Sequence, residues 1–335
     1  MAPMTRSRAE ENGVPGDFAS EYYAQRASMG LVISEGVQPS DEGQGYLATP
    51  GIYTAEQVDG WKKVTDAVHS EDGTIFLQLM HVGRIAHPDN IPNHKQAVAP
   101  SAIASGEAMF TSTGMQDMPV PHELSKEEIK ATIDDYRKAA AFAIQAGADG
   151  VEIHGANGYL IHQFLGENSN TRTDNYGGSI ENRARFALEV AKAVVEEIGA
   201  ERTGFRISPM NFLGGVVEGE NGEELYNYLV TELNQLNLAY LHIMHVGRED
   251  LLKTIRNSWK TILIVNRPGR ELSEISLDVD AGLADMVSVG VWSLANPDLV
   301  ERLKTGAPLN DAIPQTFYVK DGALGYTDYP TLEQL

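Results

Sequence analysis

Apolar residues fall along this chain in short unbroken runs, and between the runs they recur every three or four positions. The runs are Met1–Met4, Leu31–Ser34, Thr74–Leu79, Val151–Ile153, Gly204–Ser208, Ala239–Ile243, Ile262–Val265 and Met286–Val289. They are continuous rather than alternating, as strands covered on both faces must be. Helical patterns between them carry start signals. TAEQ at 54–57 and SKEE at 125–128 read as capping boxes, ahead of Val58, Trp61, Val64 and Val68 in one case and of Ile129, Ile133, Tyr136, Ala140 and Ala143 in the other. Ser179 caps a third helix whose stripe runs through Ile180, Ala184, Ala187, Leu188, Ala191, Val194 and Ile198. Asn296-Pro297 reads as the cap and first turn of a last short helix.

Strands alternating with helices in this way predict the α/β class and a single closed (β/α)8 TIM barrel over residues 1–335, with an open doubly wound sheet as the alternative. No G-x-G-x-x-G follows the early strands, which disfavours the open sheet. The longest interruption is a loop insertion between strands 3 and 4, from His81 to Leu124. A loop of that length in a compact domain is usually a lid or faces substrate. Met80, Met109, Met115 and Met118 in and beside it would shape an adaptable apolar pocket or serve as ordinary packing.

In such a barrel the chemistry gathers at the C-terminal ends of the strands. Those ends carry Thr5, Glu35-Gly36, Gln78, His154, Arg206, His242, Asn266 and Gly290. Singly, each has an ordinary explanation, such as a satisfied core histidine, an internal ion pair or a bond to loop backbone. Their convergence on one barrel mouth favours a functional site. After His154 come Asn157 and Tyr159, then a Gly-rich loop from Gly166 to Gly178, so this unit presents two donors and a phenol where its strand stops.

Composition narrows the chemistry. The chain has no cysteine, which excludes disulfides, thiolate metal sites and cysteine nucleophiles. A formal net charge of -21 argues against nucleic-acid or anionic-membrane partners. Neither a signal peptide nor a membrane span is legible, so a cytoplasmic location is expected, with a small molecule as substrate and a monomer or homodimer as the working form. A metal-dependent lyase or hydrolase using His81, His154 and His242 is a competing class, but Glu35 is the only clear carboxylate at the strand ends. No metal is expected.

Several stretches together resemble the Old Yellow Enzyme family of FMN-dependent ene reductases, of the N-ethylmaleimide reductase kind. They are MAPMTRSRA at 1–9, YYAQRAS at 22–28, GQGY at 43–46, PGIYT at 50–54, QLMHVGR at 78–84, HGANGYLIHQFL at 154–165, NTRTDNYGGSIENRARF at 170–186, FRISP at 205–209, ANPDL at 295–299 and GYTDYP at 325–330. The likeness is collinear over almost the whole chain. It implies a flavoprotein oxidoreductase that holds FMN non-covalently, takes hydride from NADPH, and reduces the C=C bond of α,β-unsaturated carbonyls, maleimides or nitroalkenes in a ping-pong cycle.

The resemblance also implies roles. Arg206 would face the flavin edge that gains negative charge, where a guanidinium suits the reduced state. Gln78 would pair with the pyrimidine edge, Thr5 with the flavin O4, and Pro3, Met4, Gly36 and Gly290 would line the cofactor. His154 and Asn157 would bind the activating oxygen of the substrate, Tyr159 would protonate the α-carbon, and Tyr318 and Met80 would shape the substrate pocket. Two departures stand out. Relatives carry a further N-terminal segment, so the N-terminal cap is expected to be truncated, at a cost in stability before chemistry. Many relatives also have an Arg after the last strand's glycine, gripping the FMN phosphate, where this chain has Val291. The turn NRPGR at 266–270 then suggests that Arg267 and Arg270, projected by Gly269, take its place. The alternative is a degenerate barrel that has lost FMN and only binds a small ligand.

Overall fold

The computed structural model describes residues 1–334. Its strands in chain order are β1 (Val32–Val37), β2 (Ile75–Leu79), β3 (Val98–Ala99), β4 (Ala108–Thr111), β5 (Gly114–Asp117), β6 (His122–Glu123), β7 (Gly150–His154), β8 (Thr203–Ile207), β9 (Tyr240–Met244), β10 (Ile262–Asn266) and β11 (Met286–Val287). Seven of them form one parallel sheet in the order β1-β2-β7-β8-β9-β10-β11. Residues 1 and 2 fill the gap between its edges. Ala2 N–H donates to the Val289 carbonyl at 2.9 Å, and Ile33 N–H donates to the Met1 carbonyl at 3.2 Å. The first apolar run therefore stands where the eighth strand of a closed barrel belongs, and the (β/α)8 fold expected from the runs is the fold observed.

The helices between strands begin where their caps predict. Thr54 Oγ1 accepts from Gln57 N–H and the Gln57 side chain accepts in return from Thr54 N–H, opening the helix Ala55–Ser70. Ser125 and Glu128 do the same for Lys126–Gln145, and Ser179 caps Ile180–Ile198. Asn296 does not cap the last helix, which starts at Leu299. Its side chain instead donates to the Trp292 carbonyl and accepts from Asn310 N–H, fastening the C-terminal segment to the barrel.

Outward residues of the strands, among them Val151, Ile153, Phe205, Ile207, Leu241 and Ile243, are fully or almost fully buried with the helices in the main core. Inward residues form a separate plug. Ile33, Phe76, Tyr240 and Ile264 cluster inside the barrel, with the Phe76 and Tyr240 rings 5.6 Å apart. Gly150 and Gly204 make room for them, since a Cβ there would lie 2.5 Å from Phe76 and 2.3 Å from Tyr240. Large and small residues thus alternate around one layer of the barrel interior.

The insertion between β2 and β7 is more ordered than its irregular sequence predicts. It contains a parallel pair, β3 with β6, and an antiparallel hairpin, β4 with β5. Met109 and Met118 are buried under this cover with Met80, Val82, Ile85 and Ile91, while Met115 is exposed at the hairpin.

Candidate active site

Above the plug the barrel interior turns polar. Glu152, in the middle of β7, is fully buried. Its carboxylate accepts from Gln78 Nε2 at 2.7 Å and lies 2.8 Å from His242 Nδ1, whose Nε2 is 2.8 Å from Ser288 Oγ. Burial works against the charge of Glu152. His242, Arg206 and Gln78 together outweigh it and hold the carboxyl below its ordinary value. Parallel register places Gln78 beside Glu152 and His154 beside Arg206, so these inward side chains rise in order toward the mouth.

The mouth opens into a cavity of about 660 Å³. Pro3, Met4, Thr5, Gly36, Gln78 and Arg206 line it on the barrel side, and Met80, His154, Asn157, Tyr159 and Tyr318 line it toward the insertion and the C-terminal segment. The structure therefore gathers most of the residues singled out from sequence around one space. Met80, Met109, Met115 and Met118 all border it.

The turn after β7 explains how three polar side chains reach this space. Asn157 and Gly158 both adopt left-handed backbone, φ +57° and +84°, which Asn and Gly tolerate best. Asn157 N–H donates to Ser208 Oγ at 2.8 Å, and Gly158 N–H donates to His162 Nδ1 at 2.9 Å. Beneath the turn His162, Glu218 and Tyr226 bond to one another in a buried group. The chain then enters the helix Leu160–Leu165 directly after Tyr159.

Several buried polar atoms face this cavity without a partner. Arg206 Nε, His154 Nδ1 and Asn157 Oδ1 have no hydrogen-bond partner among the described residues. Burial and the nearby Arg206 push the His154 imidazole well below its usual range, so it is neutral at neutral pH and keeps one N–H to donate. Burial raises the Tyr159 phenol well above its usual range, so it retains its proton. The rings of His154 and Tyr159 meet edge to face at 5.1 Å. An orphaned, buried guanidinium at one wall and a carboxamide on the next-but-one strand fit the electron-rich and pyrimidine edges of an isoalloxazine ring.

Some expectations fall differently. Gly36 leaves room for Met80, whose Sδ would lie 2.6 Å from a Cβ at that position, so Met80 stands between Gly36 and part of the cavity. Gly290 is not in the lining. It precedes the short helix Val291–Ala295 and backs onto Met4, whose Sδ lies 3.3 Å from where its Cβ would be. Arg267, Gly269 and Arg270 line a separate, shallower depression with His245 and Glu274. Arg267 gives four hydrogen bonds to Glu249 and Asp278, so its charge is already met by carboxylates and the expectation that it grips a phosphate is corrected. Arg270 makes one such bond, from Nη1 to Asp278. His81 and His242 are likewise engaged within the chain, His81 Nδ1 accepting from Gly83 N–H.

Glu152 and Tyr46 were not singled out from sequence. A carboxylate inside the apolar run VEI was the available signal for Glu152, because a charge in a strand buried on both faces needs partners. Tyr46 lies in the GQGY stretch but gave no sign that its hydroxyl would reach Tyr159, 3.0 Å away.

Comparison with known proteins agrees with this geometry. Residues 1–310 match the model of the NADH:flavin oxidoreductase / NADH oxidase family. A probable flavin mononucleotide-dependent alkene reductase from Leishmania infantum is 45% identical, the match covering 98% of this chain and 92% of that protein. The 12-oxophytodienoate reductase 2 of Arabidopsis thaliana is 42% identical over 99% of this chain and 91% of its own. Among solved structures, morphinone reductase is similar with a TM-score of 0.95 at 43% identity, covering 99% of this chain and 92% of the other. The Old Yellow Enzyme homologue from Zymomonas mobilis gives a TM-score of 0.95 at 39% identity, over 99% and 95% of the two chains. A further morphinone reductase structure, with a TM-score of 0.94, holds tetrahydroNAD.

Proposed function

Because the chain belongs to the NADH:flavin oxidoreductase / NADH oxidase family, we propose that it is an FMN-dependent ene reductase of the Old Yellow Enzyme type, reducing C=C bonds conjugated to a carbonyl or nitro group. The observation that carries this reading is one cavity in which Arg206, Gln78, His154, Asn157 and Tyr159 converge, with buried polar atoms left unpartnered. FMN bound there would relay hydride from a nicotinamide dinucleotide to the β-carbon of the substrate. The choice of NADPH over NADH rests on the resemblance alone, and reduction rates with the two nucleotides test it.

The chain's own residues divide the remaining work. Arg206 supplies a fixed positive charge at a wall where water is excluded, and Glu152 behind it attracts that charge and holds Gln78 by a hydrogen bond. His154 and Asn157 donate to the substrate oxygen, on which negative charge builds as the β-carbon is reduced. Such a preorganised donor typically contributes about 10²–10³ in rate. Tyr159, kept protonated, gives its proton to the α-carbon, a role typically contributing about 10²–10⁴-fold. Tyr318, 68% exposed at the rim, covers the substrate side of the cavity.

Tyr159→Phe tests the assignment. Reduction of the enzyme-bound flavin by NADPH is expected to be unchanged, and reoxidation by cyclohexenone to slow by about 10²-fold or more in stopped-flow. Equal reoxidation rates in variant and wild type remove Tyr159 from the acid role.

A further inference from the structure

We propose that Tyr46 is a positioning residue and proton supplier for Tyr159, so that the proton reaching the substrate moves along a chain of two phenols. This rests on the acid role proposed for Tyr159. The hydroxyls are 3.0 Å apart, the rings meet at 90° with centroids 6.3 Å apart, and both line the same cavity. Neither hydroxyl has another hydrogen-bond partner among the described residues. Their surroundings are apolar, both rings packing on the cluster of Met80, Met109 and Met118.

A phenol has one proton and two lone pairs. If Tyr159 donated to Tyr46, its only proton would be spent on that bond and turned away from the substrate. If Tyr46 donates, the Tyr159 proton is free to point into the cavity. The pair is useful for catalysis in only one of its two directions, and that direction makes Tyr46 the donor. The same bond acts during transfer. As the Tyr159 O–H bond breaks and a C–H bond forms at the α-carbon, negative charge grows on an oxygen whose one partner here is the Tyr46 hydroxyl. The Tyr46 O–H bond then breaks, a new O–H bond forms on Tyr159, and a water at the mouth, where exposed Glu107 also lines the cavity, returns a proton to Tyr46. No net charge is left on the protein after one turnover.

The loop carrying Tyr46 is built to hold it. The Tyr46 carbonyl accepts from Gln44 Nε2 and Thr49 Oγ1, both at 3.1 Å. Gly45 lets the loop pass against the insertion, since a Cβ there would lie 2.3 Å from the Ile85 carbonyl oxygen. These contacts fix the backbone from which the Tyr46 ring reaches the cavity.

Tyr46→Phe removes the hydroxyl and keeps the ring. In the FMN-loaded enzyme, flavin reduction by NADPH and the dissociation constant for cyclohexenone are expected to stay as in wild type. Reoxidation by cyclohexenone should slow about tenfold or more, as for loss of a hydrogen bond to a group gaining charge. A proton inventory of that step in H₂O–D₂O mixtures, where the solvent-exchangeable hydrogen delivered by the reduced flavin also counts, should need one more hydrogen in flight in wild type than in the variant. Independently of turnover, the Tyr159 resonance in [ζ-¹³C]tyrosine-labelled protein, identified by its loss in Tyr159→Phe, should titrate at higher pH in Tyr46→Phe. His154, Arg206 and Tyr318 face Tyr159 in both proteins and do not account for a difference. The same number of hydrogens in flight in wild type and in Tyr46→Phe overturns the proposal. Unchanged reoxidation and titration in Tyr46→Phe, alongside slowed reoxidation in Tyr159→Phe, overturn it and leave the proposed function standing. Unchanged rates in both variants remove the Tyr159 assignment, and this inference with it.

Discussion

Glu152 shows how one residue makes the rest of the site possible. A carboxylate in the centre of a barrel strand has no water to face, so it persists only because Gln78, His242 and Arg206 surround it. In return it fixes the carboxamide of Gln78 with Nε2 toward itself, which leaves the amide oxygen and one N–H for a ligand. Removing one member of a buried charged pair typically costs about 3–5 kcal/mol, because the partner is left buried and unpaired. Glu152→Ala is therefore expected to lose stability of about that size in urea unfolding of the FMN-free protein. A loss below about 1 kcal/mol, the range of an exposed ion pair, would show that the network does not depend on this charge. Residues of this kind were only half legible. His154, Asn157, Arg206 and Gln78 could be singled out because polar groups ended apolar runs, and all four line one cavity. Glu152 and Tyr46 act through other side chains, and spacing in sequence says nothing of contacts across 74 or 113 positions.

Among the elements, the turn after β10 is where sequence and structure diverge most. The run Arg267-Pro-Gly-Arg270 promised two cations for a phosphate, yet the helix Glu249–Ser258 and the segment around Asp278 supply carboxylates that claim Arg267. Those partners come from other loops and could not be read locally. Arg270 gives Asp278 a single bond. Pairing of β10 with β11 and packing of Leu272 with Val289 and Trp292 bring its turn alongside Gly290–Val291. We therefore propose Arg270 as the phosphate's cation and Arg267 as its brace. Arg270→Ala should weaken FMN binding about tenfold or more, the range for a charge-assisted hydrogen bond, and leave riboflavin affinity unchanged. Equal losses for FMN and riboflavin, or no loss for FMN, would contradict this. Elements with strong periodicity were read well, down to the capping residues Thr54, Ser125 and Ser179. The hairpin of β4 and β5 was not, because four-residue strands are held by pairing that leaves little pattern in a single sequence.

At the scale of the whole molecule, the barrel was legible because its strands are buried on both faces and so read as unbroken apolar runs. Its closure was not, since it depends on Met1 and Ala2 bonding to both Val289 and Ile33. The closed barrel brings residues from the start, middle and end of the chain to one mouth, where Thr5, His154 and Tyr318 border a common space. Among the described residues no helix is long and apolar enough to cross a membrane. The central claim is that this space holds a flavin and passes hydride to an activated alkene. The most direct measurement is the visible spectrum of the FMN-incubated protein during anaerobic titration, first with NADPH and then with cyclohexenone. The account predicts a bound-flavin band that bleaches with NADPH and returns in full with the enone. A protein that shows no flavin band after incubation with FMN, or one whose bleached band does not return when the enone is added, would contradict it.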